Sequence, residues 1–360
     1  MDLDAWRRRL GPLLAPLGLA YGGAMRARES LYLRGAFKRY RPEVPCVSVG
    51  NVNMGGSGKT PVASWILAWA AEKGLIPLLL TRGYKSLPPS YPYVVTPESP
   101  VRAAGDEPLL LARLHPGARV LVDPKRVRSG PAGMARYRPD LVVLDDGCQH
   151  LAVERDVDLI LLRPDDLGRG WGKVFPAGRW REGTFALRRA HAYLVKVPPG
   201  PLDAALSRSI HERLAGFGRP VYPFTLEATG LLRTDGSAEA SDFGGAPYFL
   251  ATAIAEPGQV EATMTALLGY PPAGRLDFPD HHAFTPEDVR RIRKAARAAG
   301  AERIASTSKD AAKLAAAGAG DVWSMNLSVR FLDPALGEAS FQDWWEARWA
   351  EANRNMKSKR

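Results

Sequence analysis

Short, wholly apolar runs alternate along this chain with longer stretches whose apolar residues recur at helical spacing. "VPCVSVG" (44–50), "IPLLLTRGY" (76–84), "ARVLV" (118–122), "DLVVLDDG" (140–147) and "VDLILLR" (157–163) predict strands. Pro61 to Ala71 and "EPLLLARLH" (107–115) predict helices between them. Such an order predicts an α/β fold, a parallel sheet with helices on both faces. From about Pro198 to Gly245 the periodicity weakens and prolines and glycines accumulate, which marks the passage to a second, smaller α/β unit. There "APYFLATAIAEP", "ERIASTS" and "DVWSMN" read as strands, Gln259 to Leu268 as a helix, and Pro286 to Ala299 as a helix introduced by Thr285. The expected organisation is a segment over 1–40 attached to a first domain over 41–230, a smaller domain over 245–330, and a C-terminal helix with a basic tail over 331–360.

Composition narrows the function classes. The chain has 360 residues, long enough for two cores, and its 46% hydrophobic content excludes wholesale disorder. A net charge of +11 points to an anionic partner: nucleic acid, an acidic membrane surface or a phosphorylated substrate. Cys46 and Cys148 are too few for a disulfide framework or a thiolate metal site, and both stand in apolar contexts that read as buried, which fits a reducing cytoplasm.

At the N-terminus, Arg7, Arg8 and Arg9 precede a charge-free run from Leu10 to Met25. The run is shorter than the roughly twenty residues a spanning helix needs, and Pro12, Pro16 and glycines are expected to interrupt it. Arginines flanking Leu13, Leu14, Leu17, Leu19 and Tyr21 suit a segment lying on an anionic bilayer; the same pattern also suits an amphipathic helix packed on its own domain.

"GNVNMGGSGKT" (50–60) carries the chemistry. It misses the common phosphate-loop pattern, because Asn53 stands where the first glycine belongs. Gly55, Gly56 and Gly58, with Ser57 between them, still let backbone N–H groups turn inward around an anion before Lys59 and Thr60 open a helix. Such a loop calls for an acidic partner at the end of a neighbouring strand, and Asp145 and Asp146 stand at the end of "LVVL". Residues 53 and 55–60 thus form the expected nucleotide site, Lys59 meeting the β and γ phosphates and Thr60 with Asp145 or Asp146 holding Mg2+. Arg82 is placed either to reach a phosphate or to close a turn; Arg126 carries a weaker signal of the same kind; Gln149 and His150 adjoin the aspartates as supports or packing groups.

With these residues in view, the chain resembles the tetraacyldisaccharide 4'-kinase family of lipid A biosynthesis. "VPCVSVGNVNMGGSGKTP" is similar to that family's phosphate loop, which also lacks the first glycine, and "TRGYKS", "AGDEPLLLA", "DDGCQHLAVERDVDLILL", "FPAGRWREG", "FPDHHAFT" and "TSKDAAKL" follow in the family's order. Cys148 stands where leucine is usual and Ser308 where glutamate is common. The resemblance implies a P-loop NTPase-like fold and ATP- and magnesium-dependent phosphorylation of the 4'-hydroxyl of a tetraacylated glucosamine disaccharide 1-phosphate. It implies a peripheral protein at the cytoplasmic face of the inner membrane, with no nucleic-acid partner. It implies Asp106 as the base that accepts the hydroxyl proton, His281 as its partner across the two domains, which would have to close to bring them together, and Glu182 as a carboxylate near the site. Read without the family, Asp106 is a helix cap, "DHH" a solvated turn or a metal pair whose adjacent histidines point to opposite faces, and Glu182 half of an ion pair.

Two other classes compete. A P-loop NTPase acting as a switch or metallochaperone suits the deviant loop, but the chain lacks a Cys-x-x-Cys and an Asn-Lys-x-Asp string. A nucleic-acid-binding ATPase suits the charge, but the basic residues are dispersed and not interleaved with aromatics on a recognisable module.

Overall fold

The computed structural model describes residues 3–234, 238–254, 257–280 and 282–358, with side chains from residue 13 onward. His281, expected beside Asp106, lies outside the described residues. Helix α1 (Leu3–Leu33) leads into β1 (Cys46–Asn51), α2 (Lys59–Glu72), β2 (Pro77–Thr81) and β3 (Tyr93–Val95). Then follow α3 (Val101–Ala104), α4 (Asp106–Leu114), β4 (Arg119–Val122), α5 (Arg126–Tyr137), β5 (Leu141–Asp145), β6 (Val157–Leu162), α6 (Pro164–Leu167) and β7 (Ala192–Lys196). The remainder is α7 (Ala204–Leu214), β8 (Val221–Arg233), β9 (Glu239–Ala240), β10 (Tyr248–Thr252), α8 (Pro257–Leu268), β11 (Gly274–Asp277), α9 (Pro286–Ala298), β12 (Arg303–Thr307), α10 (Ser308–Ala316), β13 (Trp323–Phe331) and α11 (Phe341–Lys357).

Among the described residues, thirteen strands form one sheet in the order β11-β10-β12-β13-β8-β7-β6-β1-β5-β2-β4-β3, with β9 pairing off the path to β8. Strands β1, β2, β5 and β6 are buried along their whole length, which is why they read as unbroken apolar runs. The parallel order is interrupted by β3, antiparallel to β4 at one edge, and by the antiparallel pair β8 and β13 in the middle. That pair joins the two parallel halves and carries a register shift at Asn326/Leu327. All of β8 falls in the stretch read as weakly periodic, because Pro223 and Gly230 obscure its alternation and its side chains pass from fully buried to partly exposed along its length. β13 likewise runs five residues past the predicted "DVWSMN", to Phe331.

Helix α1 departs from expectation by running unbroken through positions 12 and 16. A proline removes one backbone hydrogen bond without ending a helix whose flanking turns stay satisfied. One face of α1 packs on the protein: Tyr21 meets Phe175 edge-on, Arg28 donates to the Gln149 carbonyl at 3.2 Å and Glu29 pairs with Arg189. Leu13, Leu17 and Leu19 stay 75%, 59% and 78% exposed. No described helix is long and apolar enough to cross a membrane.

The phosphate-loop helix α2 is clamped from outside by α11. Trp65 and Trp69 stack edge-on against Trp345, Trp65 against Phe341, and Trp69 donates its indole N–H to Glu346 at 2.9 Å. An aromatic cluster of this kind buries large areas around the helix.

Candidate active site

Strands β1 and β5 lie side by side and parallel, so their carboxyl ends open into one crevice. After β1 the chain turns through residues 52–58 into α2. Asn51 holds that turn from within: its amide donates to Asn53 Oδ1 at 2.7 Å, to Ser57 Oγ at 3.0 Å and to the Gly55 carbonyl at 3.3 Å. Asn53, expected at the nucleotide, is fully buried and donates to Asp166, so its side chain shapes the loop from below. Ser57 is likewise buried, whereas Gly55 and Gly56 are exposed at the mouth. Gly58 caps α2 at φ 88°, where an L-residue is strained, and an added Cβ would sit 2.9 Å from the Phe224 ring. At Gly50 a Cβ would come within 2.5 Å of Cys148, so β1 and the turn after β5 touch backbone to backbone.

The paired aspartates occupy different environments. Asp145 is 5% exposed; Thr81 donates to one of its oxygens at 2.8 Å, and the other is buried without a partner. Burial, then Glu107 and Asp146, push its carboxyl up to about 6. Burial also raises Asp146, but Lys59 and Arg181 outweigh it and hold that carboxyl below the usual range. Lys59 Nζ lies 3.6 Å from Asp146, and Arg181 donates to both Asp146 oxygens at 2.8 and 3.0 Å. Asp146 itself takes a left-handed φ of 50°, which turns it away from the strand direction.

A buried carboxylate oxygen with no donor, at the end of the strand beside a phosphate loop, suits a hard cation with oxygen ligands. Thr60 stands in the first turn of α2. No group of three or more His, Cys, Asp or Glu gathers around a metal position among the described residues.

Around this centre, Gln149 donates to the Asn51 carbonyl at 2.9 Å and to Glu182 at 3.3 Å while its Oε1 accepts from Arg181 at 3.2 Å. Glu182 is fully buried and paired with Arg189, which also reaches Glu29 of α1. Arg126 donates to the Asp145 carbonyl at 2.9 Å from a buried position. Arg82, just past β2, is exposed and close enough for its charge to act on Arg126. His150 is pushed down to about 3 by burial and by Arg126, Arg155 and Arg28, and stays neutral. Both thiols are buried, and burial raises them out of the reactive range, Cys148 to about 12.

Asp106 opens α4, one residue inside Gly105, whose position is the cap. Its carboxylate faces α10 from the second half of the sheet, with Lys313 Nζ at 3.2 Å and Lys309 Nζ at 3.9 Å. The next residue, Glu107, acts on Asp145 through space, so the start of α4 borders the crevice. His282 is committed to its own turn, bonded to Asp288 at 3.0 Å and stacked on Phe278. Sequence reading missed Asn51, Asp166, Arg181 and Lys313. The repeated asparagines of "NVN", the arginine beside Glu182 and the string "TSKDAAKL" that contains Lys313 were the available signals; nothing local marks Asp166.

The family model described as tetraacyldisaccharide-1-P 4'-kinase matches residues 10–345. The tetraacyldisaccharide 4'-kinase of Nitratidesulfovibrio vulgaris is 44% identical over 98% of this chain and 98% of its own length. That of Oleidesulfovibrio alaskensis is 46% identical over 95% and 96%. A crystal structure of LpxK from Aquifex aeolicus in complex with ATP superposes with a TM-score of 0.74 at 27% identity, covering 96% of this chain and 99% of that one. Matched nearly end to end in sequence and in fold, the chain belongs to the tetraacyldisaccharide-1-P 4'-kinase family.

Proposed function

We propose that the protein transfers the γ-phosphoryl group of ATP to the 4'-hydroxyl of a tetraacylated glucosamine disaccharide 1-phosphate, a step of lipid A biosynthesis. Family membership carries the activity. The observation that best supports a kinase site is the convergence, at the carboxyl ends of β1 and β5, of Lys59, the split pair Asp145 and Asp146, and Arg181.

In this reading the backbone of residues 55–60 and the Lys59 ammonium hold the phosphates, and Asp145 with Thr60 holds Mg2+, as the unpartnered Asp145 oxygen supports. A bound Mg2+ supplies charge neutralisation on the phosphate oxygens. Arg181 and Lys59 fix Asp146 between them, so the cationic groups reach the phosphates already oriented. Asp106 accepts the proton of the 4'-hydroxyl as the sugar oxygen bonds to the γ-phosphorus; the bond from that phosphorus to the bridging oxygen breaks, and its electron pair leaves with ADP. His281 is the partner of Asp106, orienting that aspartate or tuning its proton affinity. The long β8/β13 ribbon between the two halves of the sheet is the element about which they adjust to substrate.

The acyl chains place the substrate in a bilayer. Helix α1 lies on the cytoplasmic surface of the inner membrane with Leu13, Leu17 and Leu19 toward the acyl layer, a reading supported by their exposure and by the net charge of +11. Cosedimentation with anionic vesicles, lost on replacing these leucines by serine, tests that placement.

The deciding experiment is transfer of labelled γ-phosphate from Mg-ATP to tetraacylated disaccharide 1-phosphate in detergent micelles, with Lys59→Ala as the blank. Labelled lipid that depends on Lys59 is the expected result. Intact ATP binding without product moves the switch-NTPase reading to first place.

A further inference from the structure

We propose that Lys313 is a positioning residue for phosphoryl transfer, reaching from α10 across to α4 to hold the carboxylate of Asp106 in place for the acceptor hydroxyl. The inference rests on Asp106 being the base, as read above.

Lys313 is 8% exposed, and its ammonium sits between two carboxylates, 3.2 Å from Asp106 Oδ2 and 3.3 Å from Asp310 Oδ1. Asp310 is the fixed end of this bridge. It is fully buried, and its other oxygen accepts from the Ala253 N–H at 2.9 Å and from Thr307 Oγ1 at 3.0 Å. β10, the cap of α10 and Lys313 are thereby locked together. Asp310 alone meets the electrostatic need of a buried ammonium, so the second carboxylate is not required to keep Lys313 in the fold. Asp106, at 20% exposure, is the end that faces outward. The rigid, buried partner therefore orients the solvent-facing one. Lys309, at 3.9 Å and 19% exposed, is looser and adds charge more than direction.

A compact ammonium with three donors suits this task, because it can hold one oxygen of each carboxylate at once. A base that transfers a proton within a fixed geometry loses rate steeply when displaced, on the order of 100-fold for 1 Å. Substrate affinity does not carry that dependence, since the carboxylate acts in transfer and not in nucleotide binding.

The test is a double-mutant cycle on the full-length enzyme, with kcat and KM for ATP and for the lipid acceptor measured separately. Lys313→Met is expected to lower kcat ~10- to 100-fold while both KM values move less than about threefold. Lys313→Arg, which keeps the charge on a longer arm, should recover a measurable part of the loss. In an Asp106→Asn background, Lys313→Met should cost less than about twofold further, because the group it orients no longer acts. Because Lys313→Met strands the buried Asp310 charge, the same comparison is repeated with Asp310→Asn added, which removes that charge. If Lys313→Met costs the same factor in both backgrounds, or acts through KM with no rescue by arginine, the positioning role is wrong. If Asp106→Asn alone retains turnover, the base assignment fails first and the cycle shows it directly.

Discussion

Replacing Asp145 by asparagine should stabilise the ligand-free protein while removing its chemistry. One Asp145 oxygen takes the Thr81 hydroxyl and the other is buried without a donor, and its carboxyl is pushed from the ordinary 3.8 up to about 6. At pH 7.5 the native protein therefore holds this group ionised at a cost. A shift of roughly two units corresponds to ~3 kcal/mol, and side-chain relaxation reduces the expected gain of the asparagine variant to ~1–3 kcal/mol. Between about pH 4 and 6 the native wild type binds more protons than the unfolded chain, so the ionisation cost is absent below the unfolded value of 3.8 and reaches its full size as pH rises through about 6. The advantage of the neutral variant should thus be largest above pH 7 and shrink steadily toward pH 4. Denaturant unfolding followed by tryptophan fluorescence, in chelator, at pH 7.5 and 4.5, measures both ends. The same variant should lose kcat by ~100- to 1,000-fold and forfeit most of the stabilisation that Mg-ATP confers, which for wild type is ~2.7 kcal/mol at a hundred times Kd. Equal or lower stability of Asp145→Asn at pH 7.5, or a gain independent of pH, would refute burial as the source of the raised proton affinity.

Other perturbations follow from the same geometry. Gly58→Ala forces a residue with a Cβ into φ 88° and against Phe224; a loss of ~2–3 kcal/mol in unfolding free energy is expected, with ATP affinity reduced in calorimetry. Lys59→Ala should abolish label transfer, whereas Asp106→Asn should cut kcat strongly with ATP affinity nearly unchanged; equal losses of ATP affinity in both variants would remove the distinction between phosphate holder and base. Trp345→Ala, which empties the centre of the α2/α11 clamp, should cost ~3–5 kcal/mol in a urea titration, and a loss below 1 kcal/mol would show that α11 does not fasten the loop helix.

The sequence displayed some of this directly, and the chemistry of the individual residues explains which parts. Strands β1, β2, β5 and β6 are buried on both faces, so no alternation hid them, and the glycines before Lys59 mark a turn whatever surrounds it. The predicted boundaries of α2, α9 and β12 differ from the observed ones by two residues or fewer, because Thr285 and Pro286 start a helix by local rules alone. β8 was illegible for the opposite reason: Pro223 and Gly230 break its pattern, and its strand character comes from pairing with β13 about a hundred residues away.

Thus the amino-acid sequence by itself determined an α/β chain with a glycine-rich turn opening a helix after one buried strand and two aspartates closing another, because those are consequences of backbone freedom and local burial. Tertiary structure alone decided the electrostatics. Asp145 and Asp146 are chemically identical neighbours in the chain, and one is raised while the other is lowered, because burial dominates at the first whereas Lys59 and Arg181 pair directly with the second. Asn53 is turned inward by Asp166, and Asp106 meets Lys313, partners separated by more than a hundred residues. Charge interactions fall off with distance in space, and a sequence records only distance along the chain.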